Sequence, residues 1–493
     1  MTPEEYYGKK LRRLSDADAR IFSRPSLEYP AVKKVHLVGV CGTAMGSLAG
    51  LLRQAGYAVS GSDTGCYPPM DGLIAELGIT FFEGFDPANL AGADVIVVGN
   101  ASGPQNPEAA YARQQGLPTL SLSEAVAEFF IRDKRSLVVA GTHGKTSTSG
   151  LLAHVFASAG EDPSYLIGGV PQGFGKGFNS GKGKHFIIEG DEYDTAYFDK
   201  RPKFLHYRPT TAIITSVEFD HVDIYDDLDD YRQAFHFLTE LVPEDEPFFV
   251  WGDGEGMGAF AEKKNARTYG LREGNGVTAT GVAVTPAGQR FTLVIDGKQL
   301  GEMETPLFGE HNLHNVLSVC AVALSEGLPF GEVKKGIGSF AGMKRRQEVI
   351  AEENGVLFID DFAHHPTAVR ETLKAIRMKY PGRRIVALFE PRSNTSRTKV
   401  FEQGYIESFD GADLVYLKVP PMRHNDSASN FIDAEKVVRE VSARGTEAQV
   451  YETSADLVKN VSPILQSGDV VLIMSNGSFD GVYDMLLDAW RAA

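Results

Sequence analysis

The sequence predicts an α/β protein built from three consecutive domains. Short apolar runs that suit buried strands alternate with stretches of helical periodicity along most of the chain, which is typical of parallel sheets covered by helices. Glycine-rich turns follow two of these strands directly and open into helices. With 493 residues the chain is too long for one hydrophobic core, so several domains are expected.

The most informative motif lies near the start of the second domain. Residues 137–148 (LVVAGTHGKTST) comprise an apolar strand, a turn bracketed by Gly141 and Gly144, and the first residues of a helix. Such a turn lets backbone N–H groups approach phosphate oxygens, while Lys145 supplies positive charge and the Thr146 hydroxyl can reach a magnesium ion. The glycines are closer together than in the usual phosphate-binding loop. We therefore predict nucleotide binding and a central domain that resembles the P-loop ATPases.

A second glycine-rich turn predicts a Rossmann-like first domain. Strand residues 34–40 lead into Gly39, Gly42 and Gly46, and Asp63 ends the next strand about twenty residues later. A dinucleotide and a uridine diphosphate would both offer a pyrophosphate to the helix N-terminus and a ribose to the acid. The turn alone leaves both ligands open.

Acidic residues follow two further strands of the central domain. Residues 189–194 carry four carboxylates, which would repel one another unless a cation binds; the alternative is a solvated acidic loop. Residues 220–223 place a histidine between two aspartates after the next strand. Parallel sheets bind ligands at the carboxyl ends of their strands, so we expect both segments to lie near the phosphate loop.

Residues 267–307 alternate between apolar and polar positions and contain turn-forming pairs, which predicts a small antiparallel insert. A helix follows, on which Asn312 and Asn315 share one face. Their carboxamides could recognise the edge of a purine. The alternative is helix capping, for which asparagine is well suited.

The last part of the chain again alternates strand and helix, and predicts a Rossmann-like domain. Polar clusters at residues 360–366, 390–395 and 475–478 follow three of its strands and indicate a binding crevice. Basic or polar linkers separate the three parts. We predict domains at residues 1–134, 135–343 and 344–493.

Composition limits the classes of function. The formal net charge of −16 argues against general affinity for nucleic acid. Three cysteines without a CxxC pair suit a reducing cytosol and argue against a disulfide framework or a zinc knuckle. The first residues lack the pattern of a signal peptide, and no apolar run is long enough to span a membrane. We expect a soluble, cytoplasmic protein without membrane or nucleic-acid partners.

Taken together, these motifs resemble the Mur ligases, the ATP-dependent amide ligases of peptidoglycan metabolism. The resemblance extends from about Val32 to the C-terminus and rests on residues 141–146, 189–192, 220–221, 311–315, 345–346, 361–366 and 474–477. Within the family, residues 67–70, 193–204, 219–225 and 390–395 are most similar to the recycling branch. That branch joins UDP-N-acetylmuramate to the murein tripeptide L-alanyl-γ-D-glutamyl-meso-diaminopimelate.

The resemblance implies a role for each candidate residue. The first domain would be the UDP-binding domain and would hold UDP-N-acetylmuramate through Gly39, Gly42, Thr43, Gly46, Asp63 and Asn100. ATP would be bound by Gly141, Thr142, His143, Gly144, Lys145, Thr146, Ser147, Asn312, Asn315, Arg346 and Asp361. Mg²⁺ would be held by Thr146, Glu189 and His221. The acceptor peptide would contact Arg392, Ser393, Asn394 and Thr395. The residues with catalytic roles would be Lys145, His221 and Arg346.

In the reaction that the resemblance implies, the muramate carboxylate attacks the γ-phosphate of ATP, and the peptide amine then attacks the resulting acyl phosphate. The first competing hypothesis is the family branch that adds L-alanine to UDP-N-acetylmuramate, which has a shorter segment where residues 196–207 lie. Two further hypotheses are an NAD-dependent dehydrogenase built on the first domain and a regulatory nucleotide-binding module without turnover. We expect a monomer or a weak homodimer.

Overall fold

A computed structural model describes residues 2–11, 31–422 and 430–492. The predicted N-terminal arm therefore lies partly outside the described residues. The chain divides into two compact units, which are described separately. Unit 1 comprises Met1–Glu218, Leu228–Thr278 and Ser318–Gly336, and unit 2 comprises Phe219–Asp227, Ala279–Leu317 and Ile337–Ala493.

The first sheet of unit 1 is parallel and has five strands in the order β3-β2-β1-β4-β5. The strands are β1 (Lys34–Val38), β2 (Ala58–Asp63), β3 (Thr80–Glu83), β4 (Val95–Val98) and β5 (Thr119–Ser121). The helices of this sheet are α2 (Thr43–Gln54), α3 (Met70–Glu76), α4 (Pro107–Gln115) and α5 (Leu122–Val126); the preceding helix α1 (Pro3–Leu11) instead contacts Asp230 and Phe237. This topology confirms the Rossmann-like prediction, because helices connect parallel strands in both directions from β1.

The second sheet of unit 1 carries the phosphate loop. Its strands in unit 1 run in the order β14-β13-β12-β6-β9-β7-β8 and are parallel except β8. They are β6 (Arg135–Ala140), β7 (Ser164–Leu166), β8 (Phe178–Asn179), β9 (His185–Gly190), β12 (Thr211–Ile214), β13 (Phe248–Trp251) and β14 (Ala266–Tyr269). The helices are α6 (Lys145–Ser158), α7 (Leu228–Leu241) and α8 (Gly258–Ala261). Because β6 lies between β9 and β12, the loop after β6 is flanked by the ends of both neighbours.

A short antiparallel hairpin joins the two sheets of unit 1. It consists of β10 (Asp194–Ala196) and β11 (Asp199–Pro202). Tyr197 and Phe198 at its tip are buried in the apolar cluster that also contains Val38 and Ile96 of the first sheet. The hairpin therefore contributes to the core of the Rossmann-like sheet, which the sequence pattern does not indicate.

The antiparallel insert and the helices that follow it occupy residues 277–338. The strands are β15 (Val277–Thr285), β16 (Gly288–Ile295) and β17 (Lys298–Thr305), followed by α9 (Glu310–Ser325) and α10 (Phe330–Gly338). The β16 and β17 strands pair in antiparallel register from Gln289 opposite Thr305 to Ile295 opposite Lys298. The predicted insert is thereby confirmed.

The remaining part of unit 2 is a six-stranded sheet in the order β18-β19-β23-β20-β21-β22. It contains β18 (Glu348–Glu353), β19 (Val356–Asp361), β20 (Ile385–Glu390), β21 (Leu414–Lys418), β22 (Glu447–Tyr451) and β23 (Val470–Ser475). Its helices are α11 (Pro366–Lys379), α12 (Glu402–Ser408), α13 (Ala434–Ala443), α14 (Ser454–Val461) and α15 (Val482–Ala492). All pairs are parallel except β18 with β19, and β18 is the strand that the sequence pattern did not predict.

Two apolar clusters cover the opposite faces of this sheet. One face carries Ile359, Ala387 and Leu472, and the other carries Phe358 and Ile473, as the alternation of side chains along a strand requires. In the part of the chain that the structure describes, no helix combines the length and apolar character needed to cross a bilayer.

Candidate active site

The phosphate loop takes a conformation that requires its two glycines. Gly141 has a φ of 135° and Gly144 a φ of 82°, both in the region that favours glycine. A β-carbon on Gly141 would lie 2.1 Å from Thr215 Oγ1. Helix α6 begins directly after Gly144, so its first N–H groups and the positive end of its dipole are at the loop.

Lys145, the first residue of α6, is held by groups from two sides. Its Nζ donates to Gly141 O at 2.5 Å and to the two carboxylate oxygens of Glu192 at 2.9 and 2.8 Å. Burial acts to lower the pKa of Lys145, but the charges of Glu192, Asp191 and Glu189 outweigh it and raise the pKa. The ammonium therefore stays charged beside the loop, as binding of a polyphosphate requires.

Thr146 and Glu189 form an oxygen-rich pair next to Lys145. Thr146 Oγ1 donates to Glu189 Oε1 at 2.9 Å, and Gly168 N donates to Glu189 Oε2 at 2.8 Å. A hydroxyl and a carboxylate are hard oxygen donors, which Mg²⁺ prefers. These two side chains fit a magnesium ion, as the sequence predicts.

The other predicted residues of the loop mainly hold its shape. Thr142 Oγ1 donates to Glu218 O at 2.9 Å, and His143 N donates to Ser216 Oγ at 2.9 Å. Ser147 lies in the first turn of α6 and is partly buried. The loop is therefore anchored to the segment after β12, which keeps its backbone N–H groups in place.

The first glycine turn is held by Asp63. Gly39 has a φ of 84° and its N donates to Ser62 O at 2.8 Å, while Cys41 N donates to Asp63 Oδ2 at 3.0 Å. Cys41 also forms a disulfide with Cys66. The sequence did not predict this bond: the two cysteines, 25 positions apart, lie close together because the loops after β1 and β2 are side by side.

The other residues predicted to bind the UDP-sugar differ in their surroundings; they are Gly42, Thr43, Gly46 and Asn100. Gly42 and Thr43 are exposed at the start of α2. Gly46 is buried, and a β-carbon on it would lie 2.1 Å from Met70 Cε, so this glycine serves the packing of α3 on α2. Asn100 Nδ2 donates to Asp194 Oδ1 of the hairpin at 3.2 Å.

In unit 2, Asn312 and Asn315 lie on the first turns of α9 and are buried. Asn312 Nδ2 donates to Phe308 O at 2.8 Å, and Asn315 Nδ2 donates to Asn312 Oδ1 at 3.3 Å. Asn312 is the third residue of the helix, and its side chain donates to the backbone carbonyl of Phe308, whereas an N-capping side chain accepts from a backbone N–H. It is therefore not a capping residue, and the capping alternative is wrong for this position.

His221 lies in the segment 219–227 of unit 2 and has a φ of 54°, which is unusual for a residue other than glycine. Its backbone N donates to Asp220 Oδ1 at 2.7 Å. Burial acts to raise the pKa of Asp220, but the nearby imidazoles of His221, His365 and His364 lower it well below its ordinary value. Within unit 2, the charged carboxylate of Asp220 thus lies near the imidazole of its own segment and those of His364 and His365.

Arg346 precedes β18 in unit 2, and Asp361, the last residue of β19, contacts the same turn. The Arg346 guanidinium lies 4.7 Å from the centre of the Phe362 ring. Asp361 is buried and accepts hydrogen bonds from Gln347 N at 2.8 Å and Ala363 N at 2.7 Å. Arg345 and Gln347, on either side of Arg346, both have positive φ, a strain that often marks functional loops.

The four residues predicted to contact the acceptor follow β20, but they face different surroundings. Thr395 is buried, and its carbonyl accepts from Thr398 N at 2.9 Å. Ser393 Oγ accepts from Ser396 N at 3.0 Å, and Asn394 Nδ2 donates to Asp223 Oδ2 at 3.1 Å. The structure thus uses three of the four to shape the loop.

Arg392 has a different environment. Its NH1 lies 3.6 Å from Glu390 Oε2 and 3.7 Å from Asp480 Oδ1, and about a third of its side chain is exposed. Lys418 contacts the same two carboxylates. Sequence reasoning missed Lys418, because a single lysine after an apolar strand gives no signal of its own.

Within unit 1, the structure brings the phosphate loop together with Glu189 and Glu192. Within unit 2, it places the polar residues at the ends of β20 and β23 side by side, with Glu390 opposite Ser475. Glu192 is a site residue that the prediction lacked. The acidic run 189–194 was the signal that could have identified it.

Family models match the chain in three consecutive segments. Residues 34–134 match the model described as "Mur ligase family, catalytic domain", residues 139–323 match "Mur ligase middle domain", and residues 345–477 match "Mur ligase, glutamate ligase domain". The three-domain α/β fold is that of this family. The predicted limits at residues 134 and 343 stay a prediction.

Individual relatives agree with these matches. The chain is 38% identical over 464 residues to the UDP-N-acetylmuramate–L-alanyl-γ-D-glutamyl-meso-2,6-diaminoheptandioate ligase of Escherichia coli K12, covering 92% of this chain and 98% of the relative. It is 34% identical over 460 residues to the UDP-N-acetylmuramate–L-alanine ligase of Desulfosudis oleivorans, covering 93% and 96%.

Among solved structures, a murein peptide ligase from Psychrobacter arcticus superposes with a TM-score of 0.70 at 31% identity, covering 94% of this chain and 99% of that one. The identity and the coverage exceed what a shared fold alone would produce. The chain therefore belongs to the Mur ligase family and is a ligase.

Proposed function

We propose that this enzyme joins UDP-N-acetylmuramate to the tripeptide L-alanyl-γ-D-glutamyl-meso-diaminopimelate, with ATP as the energy source and Mg²⁺ as the metal ion. The observation that carries the proposal is the 38% identity, over nearly the whole chain, to a ligase named for these substrates. The resemblance also supports it, because the L-alanine-adding branch is expected to have a shorter segment where residues 196–207, which include β11, lie in this chain.

In unit 1, Lys145 and the first turn of α6 would bind the terminal phosphates of ATP. The Lys145 ammonium is charged, and its contact with Glu192 keeps it at the mouth of the loop until a phosphate replaces that partner. Thr146 and Glu189 would hold Mg²⁺, which would neutralise the charge that develops on the phosphates.

The first sheet of unit 1 would hold the UDP moiety. Gly39, Gly42 and Thr43 line the turn before α2, whose N-terminus suits a pyrophosphate. Asp63 already binds the backbone of this turn, so we assign it the task of shaping the turn. Asn100, held by Asp194, lies in the loop after β4 and would contact the same substrate.

In unit 2, Asn312 and Asn315 would bind adenine through carboxamide groups that are fixed by each other and by Phe308 O. Arg346 would contact a phosphate, and Asp361, pinned by two backbone N–H groups, would hold the loop that carries Arg346. His221 would contribute to a second metal position. Imidazole is an uncommon ligand for Mg²⁺, so this role rests on the resemblance to the family.

The chemistry would then depend on position and charge. Lys145 stabilises the negative charge that grows on the γ-phosphate as the muramate carboxylate attacks it. The acyl phosphate that forms has phosphate as its leaving group, and the amine of the tripeptide displaces it to form the amide. Arg392 would bind a carboxylate of that peptide through its planar guanidinium.

The test is an acceptor assay. The purified chain is incubated with ATP, Mg²⁺, UDP-N-acetylmuramate and either the tripeptide or L-alanine, and phosphate release and the ligated product are measured, the product by mass spectrometry. We expect the tripeptide product and about one phosphate released per product. Product with L-alanine alone would instead identify the L-alanine-adding branch.

Two controls test for a regulatory module and for a dehydrogenase. Hydroxylamine added before the peptide should trap the acyl phosphate as a hydroxamate; ATP binding without this product would indicate a regulatory module. Tight binding of NADH would favour the dehydrogenase. A cytoplasmic location and a monomer or weak homodimer remain part of the proposal, and light scattering of the purified chain tests the latter.

A further inference from the structure

Four charged side chains form a closed cluster at the carboxyl edge of the six-stranded sheet in unit 2. Lys418 Nζ donates to Glu390 Oε1 at 2.9 Å and also contacts Asp480. Arg392 lies 3.6 Å from Glu390 and 3.7 Å from Asp480. Each carboxylate thus meets both cations, but Lys418 is the closer partner of both.

Lys418 is built into the sheet and does not lie on a surface loop. It is the last residue of β21, next to β20, and only 5% of its side chain is exposed. Burial acts to lower its pKa, but the hydrogen bonds to Asp480 and Glu390 raise it above the ordinary value. A lysine that is buried and charged is uncommon and costly without such partners.

Glu390 is fully buried and is fixed from a second direction. Ser475 Oγ, at the end of β23, donates to Glu390 Oε2 at 2.8 Å and accepts from Gly477 N at 3.0 Å. The Glu390 carboxylate therefore receives hydrogen bonds from β21 and β23 at once. Its position is determined by two neighbouring strands.

Asp480 is held in an unusual conformation. Phe479 and Asp480 have φ values of 47° and 48°, a region that residues other than glycine seldom occupy. Such strain persists only where the surroundings impose it. Phe479 is buried in the core of the domain, and Lys418 holds the Asp480 carboxylate.

Arg392 reaches the cluster over a glycine. A β-carbon on Gly477 would lie 2.3 Å from Arg392 Cδ, so the arginine stem passes directly over this residue. The distances from its NH1 to the two carboxylates exceed those of a direct hydrogen bond. Arg392 is thus oriented by the two acids while Lys418 makes the short contacts with them.

We propose that Lys418 is a positioning residue for the acceptor peptide: it neutralises Glu390 and Asp480, so that Arg392 can bind a carboxylate of the peptide. This inference rests on the proposed function. Without Lys418, two carboxylates would face one arginine and would draw its guanidinium closer than the present 3.6 and 3.7 Å. The excess negative charge would also repel an anionic acceptor.

The test compares K418M, K418R and wild type in steady-state kinetics with the tripeptide and with an analogue whose terminal diaminopimelate carboxylate is a carboxamide. We expect K418M to raise the KM for the tripeptide about tenfold, the size of effect that loss of a charge-assisted contact produces. The KM for ATP should change by less than about twofold, because the cluster acts on the peptide. K418R, which retains the charge, should recover most of the loss.

The amide analogue separates positioning from a structural role. Wild type should prefer the carboxylate over the amide, and K418M should lose most of that preference; a change in packing alone would weaken both peptides alike. R384M is the matched control. The Arg384 guanidinium donates to the two carboxylate oxygens of Asp469 at 2.9 and 2.6 Å. These residues precede β20 and β23, at the opposite edge of the same sheet. The loss of Arg384 should therefore leave the KM values for both peptides unchanged.

An unchanged preference for the carboxylate in a folded, active K418M would overturn the inference. If K418M does not fold, S475A provides the second variant, because it removes one hydrogen bond to Glu390 and leaves all four charges. It should raise the KM for the tripeptide by about twofold to threefold, and no rise would also overturn the inference. Failure of wild type to use the tripeptide would instead refute the proposed function.

Discussion

Lys145 in unit 1 and Lys418 in unit 2 each lie at the carboxyl edge of a largely parallel sheet. Both side chains contact carboxylates. Lys145 exposes 14% of its side chain and has one carboxylate partner, Glu192, together with the carbonyl of Gly141. Lys418 exposes 5% and has two carboxylate partners. Lys145 begins a helix after a glycine turn, whereas Lys418 ends a strand.

This difference shows that pairing with an acid does not reveal what a buried lysine does. The surroundings of Lys145 are suited to an anion, because the helix N-terminus and the loop N–H groups face the same space as the ammonium. In the proposed function, a phosphate would displace Glu192 from it. Lys418 is surrounded by side chains of opposite charge, which would have to be left unpaired if it changed partner.

The largest expected effect is on Lys145. Replacing it with methionine should lower kcat by a factor of about 10² to 10³, comparable to removal of one donor that stabilises a transition-state oxyanion. The measurement is phosphate release at saturating substrates. The variant should also be less stable by about 1–3 kcal/mol, because Glu192, 1% exposed, loses the cation that pairs with it and keeps Tyr231 as a hydrogen-bond donor.

The double variant Lys145→Met with Glu192→Gln is the control. It removes the buried negative charge that lost its cation and should recover stability in thermal unfolding without recovering turnover. Turnover close to that of wild type in either variant would contradict the role of Lys145 in catalysis and the comparison built on it.

A second prediction concerns an ion cluster at the other end of β6, the strand that carries the phosphate loop. Arg135 donates to Glu326 Oε2 at 2.6 Å and to Glu246 Oε1 at 2.7 Å, and His185 Nε2 lies 3.1 Å from Glu326. Burial acts to raise the pKa of Glu326, but the hydrogen bonds and charges of His185 and Arg135 lower it to about 2. This cluster should stabilise the fold without affecting catalysis.

A carboxylate with a lowered pKa stabilises the folded state above its ordinary pKa and loses this contribution as the pH falls towards the lowered value. Wild type should therefore lose on the order of 2 kcal/mol between about pH 5 and pH 2 through Glu326, after allowance for the partly exposed Arg135. Glu326→Gln should already lack this stability at pH 7, as urea unfolding will measure. A fall in kcat in the folded variant would contradict a purely structural role.

The smallest expected effect tests the proposed Mg²⁺ ligands beside Lys145. Thr146→Val removes the hydroxyl that donates to Glu189 and should raise the Mg²⁺ concentration at half-maximal rate about fivefold, the effect of one lost contact. Thr239→Val, in which the lost hydroxyl donates to His236 O on α7, is the matched control and should leave the Mg²⁺ requirement unchanged. An equal Mg²⁺ concentration at half-maximal rate in both variants would exclude Thr146 as a ligand of Mg²⁺.

Much of the fold and part of the candidate site could be predicted from short segments. The phosphate loop, the Rossmann-like turn and the antiparallel insert were predicted because glycine positions and apolar periodicity act over a few residues. The strand β18, the disulfide between Cys41 and Cys66 and the burial of the hairpin tip were missed. Each of them depends on segments that are distant in sequence or on the packing of two sheets.

The charged residues show the same difference between what the sequence predicts and what the tertiary structure decides. The sequence alone determined that a lysine would follow a tight glycine turn and that carboxylates would follow the next strand in the sheet. Only the tertiary structure decided that Glu192 is the partner of Lys145, 47 positions away, and that Glu390 and Asp480 are the partners of Lys418, 28 and 62 positions away. The physical reason is that backbone conformation is set by neighbouring residues, whereas ion pairs depend on the strand order and register that bring distant chain ends together.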